Sequence, residues 1–289
     1  MEWGNAKKFV VILLILLNLV LAGLNYRQRG DNMMTASQER AIFEVLSKNG
    51  ITMYTDLPTE HIPMPKLVAE IPSYNKETLE RLFFSGEKTT VTAKQEALIY
   101  RGEEAVLMLA GAEGLWRKET VSLGKGEMTR GEALRVAEKF LDGTEHFFGT
   151  YQEPVVTEEA DGFRVEFSGL YKRALVFSNY FSLLVTAEGI REIHFNYCPV
   201  QGYTGEKQDI CYSDEALLAF MREWRKQQTA MGESGEATIS RIELGYDQME
   251  SGTADMASIS LEPCYRIYLM DEEEPYLINA YTCQIVVRD

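Results

Sequence analysis

The sequence predicts an α+β protein: a single amino-terminal transmembrane helix is followed by tandem modules, each an antiparallel sheet covered by helices. Three observations support this class. An apolar run lies near the amino terminus, two amphipathic helices open with similar motifs, and strand-like runs follow each of them. We expect an anchor at 1–30, a first α+β region at 31–127, a helix-plus-meander module at 128–208 and a second such module at 209–289.

The apolar run at 9–24 contains one strongly polar residue, Asn18. As a helix it spans roughly 24 Å, and the stretch from Trp3 to Tyr26 spans roughly 36 Å, against a hydrocarbon core of about 30 Å. Val20-Leu21-Ala22 also fits the small-x-small rule of a cleaved secretion signal. Because aromatic residues flank the run at both ends, we expect an anchor that is not cleaved.

Asn18 lies in the carboxyl half of this predicted helix. An unpaired amide in hydrocarbon is costly, and a hydrogen bond to another helix relieves the cost. The alternative is an asparagine close enough to the interface to stay hydrated. We expect the amino end inside the cell and the acidic body outside.

The first α+β region alternates short helices and strands. A helix containing Ile42, Val45 and Leu46 ends at Asn49-Gly50, which is typical of a carboxyl cap. The remaining elements follow in chain order: strands at 51–54 and 66–71, a helix at 76–84, and strands at 89–92, 96–100 and 105–109.

Each module opens with an amphipathic helix. In the first, Thr129 and Glu132 form a capping box, and Leu134, Ala137 and Leu141 lie on one face. The second helix begins at Ser213, and its apolar residues at i, i+3, i+4 and i+7 are Leu217, Phe220, Met221 and Trp224. Both helices contain the sequence Glu-Ala-Leu.

Strand-like runs follow both helices. They are 163–167, 174–177, 181–187 and 190–195 in the first module, and 237–246, 264–269 and 276–287 in the second. An antiparallel sheet of this kind has one apolar face, and the helix of its module can cover that face.

The chain is acidic, with a net charge of −15 at pH 7. The part beyond residue 29 is more acidic still, because residues 1–29 hold four basic side chains and one acid. An acidic surface is repelled by phosphate backbones. We therefore expect no nucleic-acid partner.

No segment carries a convincing catalytic or cofactor motif. Residues 85–89 resemble a phosphate-binding loop but lack its upstream glycine. His61, His146 and His194 lie in separate segments, without a second ligand at metal-site spacing. The acidic run 271–274 lacks the spaced ligands of a calcium loop and is interpreted as a solvated turn. We expect no enzyme activity, no cofactor and no metal.

The four cysteines, Cys198, Cys211, Cys264 and Cys283, form no CxxC pair and match no zinc spacing. Two interpretations remain open. Cys264 and Cys283 flank an expected hairpin, so that outside a membrane they can form a disulfide. Otherwise all four are small buried hydrophobic residues.

The amino terminus contains Met1-Glu2-Trp3, then Lys7-Lys8, then Leu17-Asn18 within the apolar run. The segments 261–267 and 276–281 form an expected final hairpin. Together these features resemble the YycH/YycI family, and the final hairpin is also similar to PepSY-type modules. In those modules a Pro-x-Trp strand precedes an Asn-Ala-x-x-Gly turn.

The resemblance implies a role that composition cannot show. Proteins of the YycH/YycI family are single-pass membrane proteins whose body lies outside a Gram-positive cell. They associate with each other and with the essential cell-wall sensor kinase of the WalK/YycG type. The resemblance therefore implies a non-enzymatic regulator of this two-component kinase, with a YycH-like paralogue as a further partner. Trp3, Leu17 and Asn18 are the partner-binding residues expected in the membrane.

The PepSY similarity implies an alternative function. In it, the body is an extracellular ligand-binding or hydrolase-inhibiting module, and the apolar helix is only a tether. Two positions depart from the PepSY pattern, since Tyr265 replaces the tryptophan and Cys283 lies near the glycine. The two hypotheses differ in whether the helix itself is needed for activity.

Overall fold

The structure, a computed structural model, describes residues 13–20, 34–59, 61–95, 97–119, 128–144, 148–232, 235–249, 258–270, 272 and 274–286. The chain divides into two compact units. Unit 1 comprises Met1–Met64, Gln208–Glu243 and Tyr265–Asp289, and unit 2 comprises Pro65–Lys207 and Leu244–Cys264. The chain therefore enters unit 2 twice.

The described elements confirm the predicted α+β class, and each helix predicted in the body is present. The helices are α1 at residues 13–20, α2 (Ala36–Lys48), α3 (Lys76–Phe83), α4 (Arg130–Asp142) and α5 (Ser213–Met231). The strands are β1 (Ile51–Met53), β2 (Met64–Glu70), β3 (Thr90–Lys94), β4 (Ala97–Arg101), β5 (Ala105–Ala110), β6 (Glu113–Lys118), β7 (Thr150–Tyr151), β8 (Val155–Glu159), β9 (Gly162–Tyr171), β10 (Ala174–Thr186), β11 (Gly189–Asn196), β12 (Val200–Gln208), β13 (Ala237–Asp247), β14 (Ser258–Leu269), β15 (Tyr276–Asn279) and β16 (Gln284–Val286).

The main sheet of unit 2 is antiparallel, in the order β3-β4-β5-β6-β11-β10-β9-β8. Strand β6 pairs with β11 in a register that sets Trp116 opposite Ile193. This pairing corrects the predicted boundary between residues 127 and 128. Strands from both sides of that boundary belong to one sheet, so the two regions cannot be separate domains.

Helix α4 covers this sheet, as predicted. Thr129 Oγ1 accepts a hydrogen bond from the Glu132 backbone N–H (3.3 Å), and the Thr129 N–H donates to the Glu132 carboxylate (3.0 Å). The capping box is therefore confirmed. Ala133 and Ala137 are fully buried, whereas Leu134 is half-buried. These two small residues face the sheet, so aromatic side chains of the strands fill the space beneath the helix.

The core of unit 2 is a group of stacked phenylalanine rings centred on Phe195. Its ring stacks on Phe83 of α3 (centroids 5.3 Å apart) and on Phe181 of β10 (5.0 Å), and Phe148 meets it edge-on at 5.5 Å. The ring also lies directly over Gly114 of β6, where any Cβ would overlap it. Four parts of unit 2 thus contact the Phe195 ring, namely α3, β6, β10 and Phe148.

Unit 1 repeats the arrangement of a helix on strands. Helix α5 packs against β15 and β16. Leu217, Phe220 and Trp224 are buried as predicted, and Met221 is half-buried. The Phe220 ring meets Tyr276 of β15 edge-on, with centroids 4.8 Å apart. The predicted apolar face of the second helix is confirmed.

Two features differ from the predicted antiparallel meanders. Strand β1 pairs with β13 in parallel, with Ile51 opposite Ala237. No hairpin joins these strands, because they lie far apart in the chain, and so the turn geometry that enforces antiparallel pairing is missing. The predicted runs 174–177 and 181–187 form one strand, β10, whose pairing with β9 shifts register between Val176 and Tyr180.

The contact between Phe195 and Gly114 leads to a stability prediction. We expect Gly114→Ala to destabilise the protein by about 1–3 kcal/mol or more, because the added methyl overpacks the core. Gly131→Ala is the matched control, since a Cβ there meets nothing within 4 Å and alanine favours helix α4. Urea unfolding of the full chain in mild detergent measures both. Equal midpoints for the two variants would contradict the packing described above.

Candidate functional site

Helix α1 exposes its apolar side chains on every face. Seven apolar residues of the helix each expose between 51% and 67% of their surface. They are Leu13, Leu14, Ile15, Leu16, Leu17, Leu19 and Val20. Within the described part of the chain, no helix combines the length and the apolar character needed to cross a membrane, and of this helix residues 13–20 are described. Trp3, the third predicted contact residue, lies outside the described residues.

Asn18 is the polar residue of α1. Its Nδ2 donates a hydrogen bond to the carbonyl oxygen of Leu14, one turn earlier, at 2.9 Å. An asparagine amide has two N–H donors and a carbonyl acceptor, so this bond uses one donor. Among the described residues nothing else bonds to the amide, and the second N–H and Oδ1 remain able to bind another molecule. Leu17 precedes it and presents an exposed apolar surface.

The loop at 85–89 is occupied by a carboxylate of the chain itself. The Glu80 side chain is 2% exposed and accepts hydrogen bonds from the Thr89 backbone N–H (2.7 Å) and the Thr89 hydroxyl (3.1 Å). Lys88 Nζ lies 3.2 Å from its other oxygen, and Lys76 Nζ lies 3.5 Å away. Polar groups that a nucleotide-binding loop would offer to phosphate therefore bind Glu80.

Each of the two histidines that the structure describes lies against a different partner. His61 stacks on Tyr212 with ring centroids 3.8 Å apart, and His194 Nε2 lies 2.7 Å from a Glu113 carboxylate oxygen. His146 lies outside the described residues, as do Asp271 and Glu273 of the acidic run.

One group of metal-ligating side chains is present among the described residues. The Sγ atoms of Cys211 and Cys283 and a carboxylate oxygen of Glu215 all lie within 4.8 Å of one another. All three residues belong to unit 1. Cys211 lies two residues before the start of α5, Glu215 lies in its first turn, and Cys283 lies in the turn between β15 and β16. We call this group the thiol–carboxylate cluster.

The backbone around Cys211 is held on two sides. The Cys211 N–H donates to the Ala280 carbonyl (2.7 Å), and the Cys211 carbonyl accepts from the Tyr265 hydroxyl (2.8 Å). Glu215 also binds locally, since one of its oxygens accepts from the Tyr212 N–H at 3.0 Å. The cluster is therefore built on the junction between α5 and the β15–β16 turn.

The structure does not pair Cys264 with Cys283, the disulfide that was one of the two interpretations left open by the sequence. All four cysteines are free thiols, and Cys264 is completely buried in β14. The predicted run 276–287 reverses after Asn279, whose Oδ1 accepts from the Tyr281 and Thr282 N–H groups (2.9 and 3.1 Å). This turn aims Cys283 at Cys211 instead. The buried-hydrophobe interpretation fits Cys198 and Cys264, and the cluster cysteines are half-buried.

The two cluster thiols are joined by a hydrogen bond. The hydrogen bond from the Cys211 thiol to the Cys283 sulfur lowers the pKa of Cys283 and raises the pKa of Cys211. Burial and the neighbouring Glu215 carboxylate oppose the formation of a thiolate at either position. One sulfur of the pair therefore loses its proton more readily than the other, as expected for coupled thiols.

The sequence singles out Cys283 as a candidate site residue, but it does not indicate that Cys211 and Glu215 lie beside it. Cys211 and Glu215 are four residues apart around a helix start, which is a weak local signal. A stronger signal is the position of Cys283 near a turn glycine of PepSY-type modules. Its φ is 55°, in the left-handed region that favours glycine. Ser85, Gln95, Lys172 and Arg173 also have a positive φ, so this conformation alone assigns no role to the cysteine side chain.

Comparisons with known proteins show a shared fold. No family model and no curated protein matches the sequence. The structure is similar to that of an uncharacterized protein from Eubacterium rectale, with a TM-score of 0.53 and 12% identity over 83% of this chain and 89% of that chain. The YpeB C-terminal domain of Bacillus megaterium gives a TM-score of 0.39 and 13% identity over 76% and 97% of the two chains. The first likeness is one of fold alone, and the resemblance to the YycH/YycI family stays a prediction.

The bonds to Glu80 predict a pH-dependent stability. Chiefly through the Thr89 N–H, they lower the Glu80 pKa from 4.5 to about 2. A carboxyl whose folded pKa is depressed stabilises the fold above its unfolded pKa, and that stability is lost as the pH falls toward the folded pKa. We therefore expect Glu80→Gln to lower the urea midpoint at about pH 7, and the difference from wild type to narrow as the pH approaches about 3.

The matched control for Glu80 is Glu77→Gln, which alters an exposed carboxylate on the same helix. Its effect on the urea midpoint should be smaller at neutral pH. If Glu80→Gln and Glu77→Gln shift the midpoint equally at every pH, the carboxylate does not anchor the 85–89 loop.

Proposed function

We propose that this protein is a non-enzymatic, membrane-anchored accessory protein whose amino-terminal helix is itself a binding surface. Its partner is a sensor histidine kinase of the WalK/YycG type, and a YycH-like protein is a second partner. The observation that carries the proposal is helix α1, which is apolar on every face and exposes more than half of each apolar side chain. Such a helix needs an apolar environment around its whole circumference.

The membrane supplies that environment. The apolar run continues on both sides of the described helix, from residue 9 to residue 24, and basic and aromatic residues flank it. In this arrangement the amino end is cytoplasmic and the acidic body is extracellular. The body then lies where a cell-wall sensor exposes its own extracellular domain.

Asn18 gives the helix a polar contact point. Its bond to the Leu14 carbonyl offsets part of the cost of burying the amide in lipid, and one N–H and the oxygen remain for a partner helix. Interhelical hydrogen bonds of this kind contribute about 0.6–2 kcal/mol. That contribution suffices to bias association between helices that share a bilayer, and it leaves the contact reversible.

The test is co-purification of the kinase with the tagged full-length chain from detergent-solubilised membranes. We expect Asn18→Leu to weaken the association by roughly 3-fold to 30-fold, the factor that corresponds to one interhelical hydrogen bond. Replacement of residues 9–24 by poly-leucine should have at least the same effect. Both variants keep an apolar helix and should remain in the membrane fraction.

A matched control keeps the composition of the helix and moves the amide. In Asn18→Leu/Leu16→Asn the amide is rotated by about 200° around the helix axis, onto the opposite face. The double variant should bind as weakly as Asn18→Leu. Undiminished association in Asn18→Leu and in the poly-leucine chain would remove the helix contact and favour the tethered extracellular module. Recovery of the body in the culture medium, cut near Ala22, would remove the anchor.

A further inference from the structure

We propose that the thiol–carboxylate cluster is a zinc site, in which Cys211, Cys283 and Glu215 bind one Zn²⁺ ion. Two thiolates and a carboxylate are ligands that zinc accepts, and three protein ligands leave a fourth position for a water molecule. The site is separate from helix α1, and it goes beyond the proposed function. It would clamp the β15–β16 turn to the start of α5.

The geometry of the three ligand atoms suits a tetrahedral ion. Zinc–sulfur bonds of about 2.3 Å and zinc–oxygen bonds of about 2.1 Å place tetrahedral ligands roughly 3.6–3.8 Å apart. The cluster atoms already lie within 4.8 Å of one another. The observed upper limit therefore exceeds the tetrahedral separation by about 1 Å.

The backbone positions of the ligands are fixed before any ion binds. Cys211 is held by Ala280 and Tyr265, as described above. The Cys283 N–H donates to the Asn279 carbonyl at 2.8 Å. The conformational entropy lost in bringing the three ligands together is therefore lost when the chain folds and not when the ion binds, which favours zinc binding.

The charges around the cluster favour a cation. The carboxylates of Glu215 and the adjacent Asp214 lie near the cluster, and Arg222 is a nearby positive charge. A divalent ion is attracted by the carboxylates and by both thiolates at once. Its binding releases the thiol protons to the solvent.

Cys283 occupies a position where glycine is favoured, and this matters for the alternatives. Glycine would adopt φ 55° without the steric cost that the cysteine side chain adds there. A disulfide between Cys211 and Cys283 would explain both cysteines, but it needs an oxidant and leaves Glu215 with only its bond to the Tyr212 N–H. Zinc explains all three groups and involves no oxidation or reduction.

The experiment uses the full chain in detergent, reduced, stripped with a chelator and then loaded with Zn²⁺. Bound metal is measured by elemental analysis after removal of excess ion, and thermal unfolding is followed with and without zinc. Co²⁺ is the spectroscopic probe. We expect one zinc per chain, a higher unfolding midpoint with zinc, and a thiolate-to-cobalt charge-transfer band with the intense visible bands of a tetrahedral site.

Three variants locate the site. Cys283→Gly removes a ligand at a position whose backbone suits glycine, so we expect a folded protein that has lost the zinc and its thermal shift. Cys211→Ser should behave in the same way. Glu215→Gln should weaken zinc binding by at least about 10-fold to 100-fold, which is the typical effect of losing a residue that hydrogen-bonds to a metal ligand. The control is Cys264→Ala, which should keep one zinc per chain.

Several results would overturn the proposal. Zinc bound equally by wild type, Cys283→Gly and Cys211→Ser would place the metal elsewhere. A chain that takes up no zinc under reducing conditions has no such site. A Cys211–Cys283 disulfide, found by mass spectrometry in protein isolated with its native thiol state trapped, would show that the junction is closed by a covalent bond instead of an ion.

Discussion

The fold of unit 2 depends on the close approach of one aromatic ring to one glycine. The Phe195 ring can approach β6 closely because Gly114 has no side chain, and in that position it contacts Phe83, Phe181 and Phe148. The ring thereby connects α3, two neighbouring strands and Phe148, which follows α4 in the chain. A larger residue in place of the glycine would overlap the ring.

The helices could be predicted from sequence because their signals are local. The capping box at Thr129 and Glu132 and the apolar face of α5 each lie within a few turns of one helix. Strands β6, β7, β8 and β12 were missed. Strand β12 contains two glycines, and most of its residues are exposed, so it has neither the alternation nor the composition on which strand prediction relies. It pairs with β2, which lies far away in the chain, and local sequence patterns do not encode such a long-range pairing.

The two candidate sites also differ in whether their sequence signal is local or long-range. Leu17 and Asn18 stand out because a single amide in an apolar run is conspicuous in the sequence itself. The thiol–carboxylate cluster could not be found in that way, because it joins Cys283 to residues about seventy positions earlier, across a turn that was expected to be a continuous strand.

The order in which the chain visits its two units has a consequence for biosynthesis. Unit 2 is supplied mostly by one continuous stretch, Pro65–Lys207, whereas unit 1 needs three stretches, of which the third is Tyr265–Asp289. During synthesis, helix α5 emerges before β15 and β16, the strands against which it packs. Its apolar face then remains exposed until residue 286 has emerged from the ribosome. This interval is the stage at which a chaperone or a protease has most opportunity to act on the nascent protein.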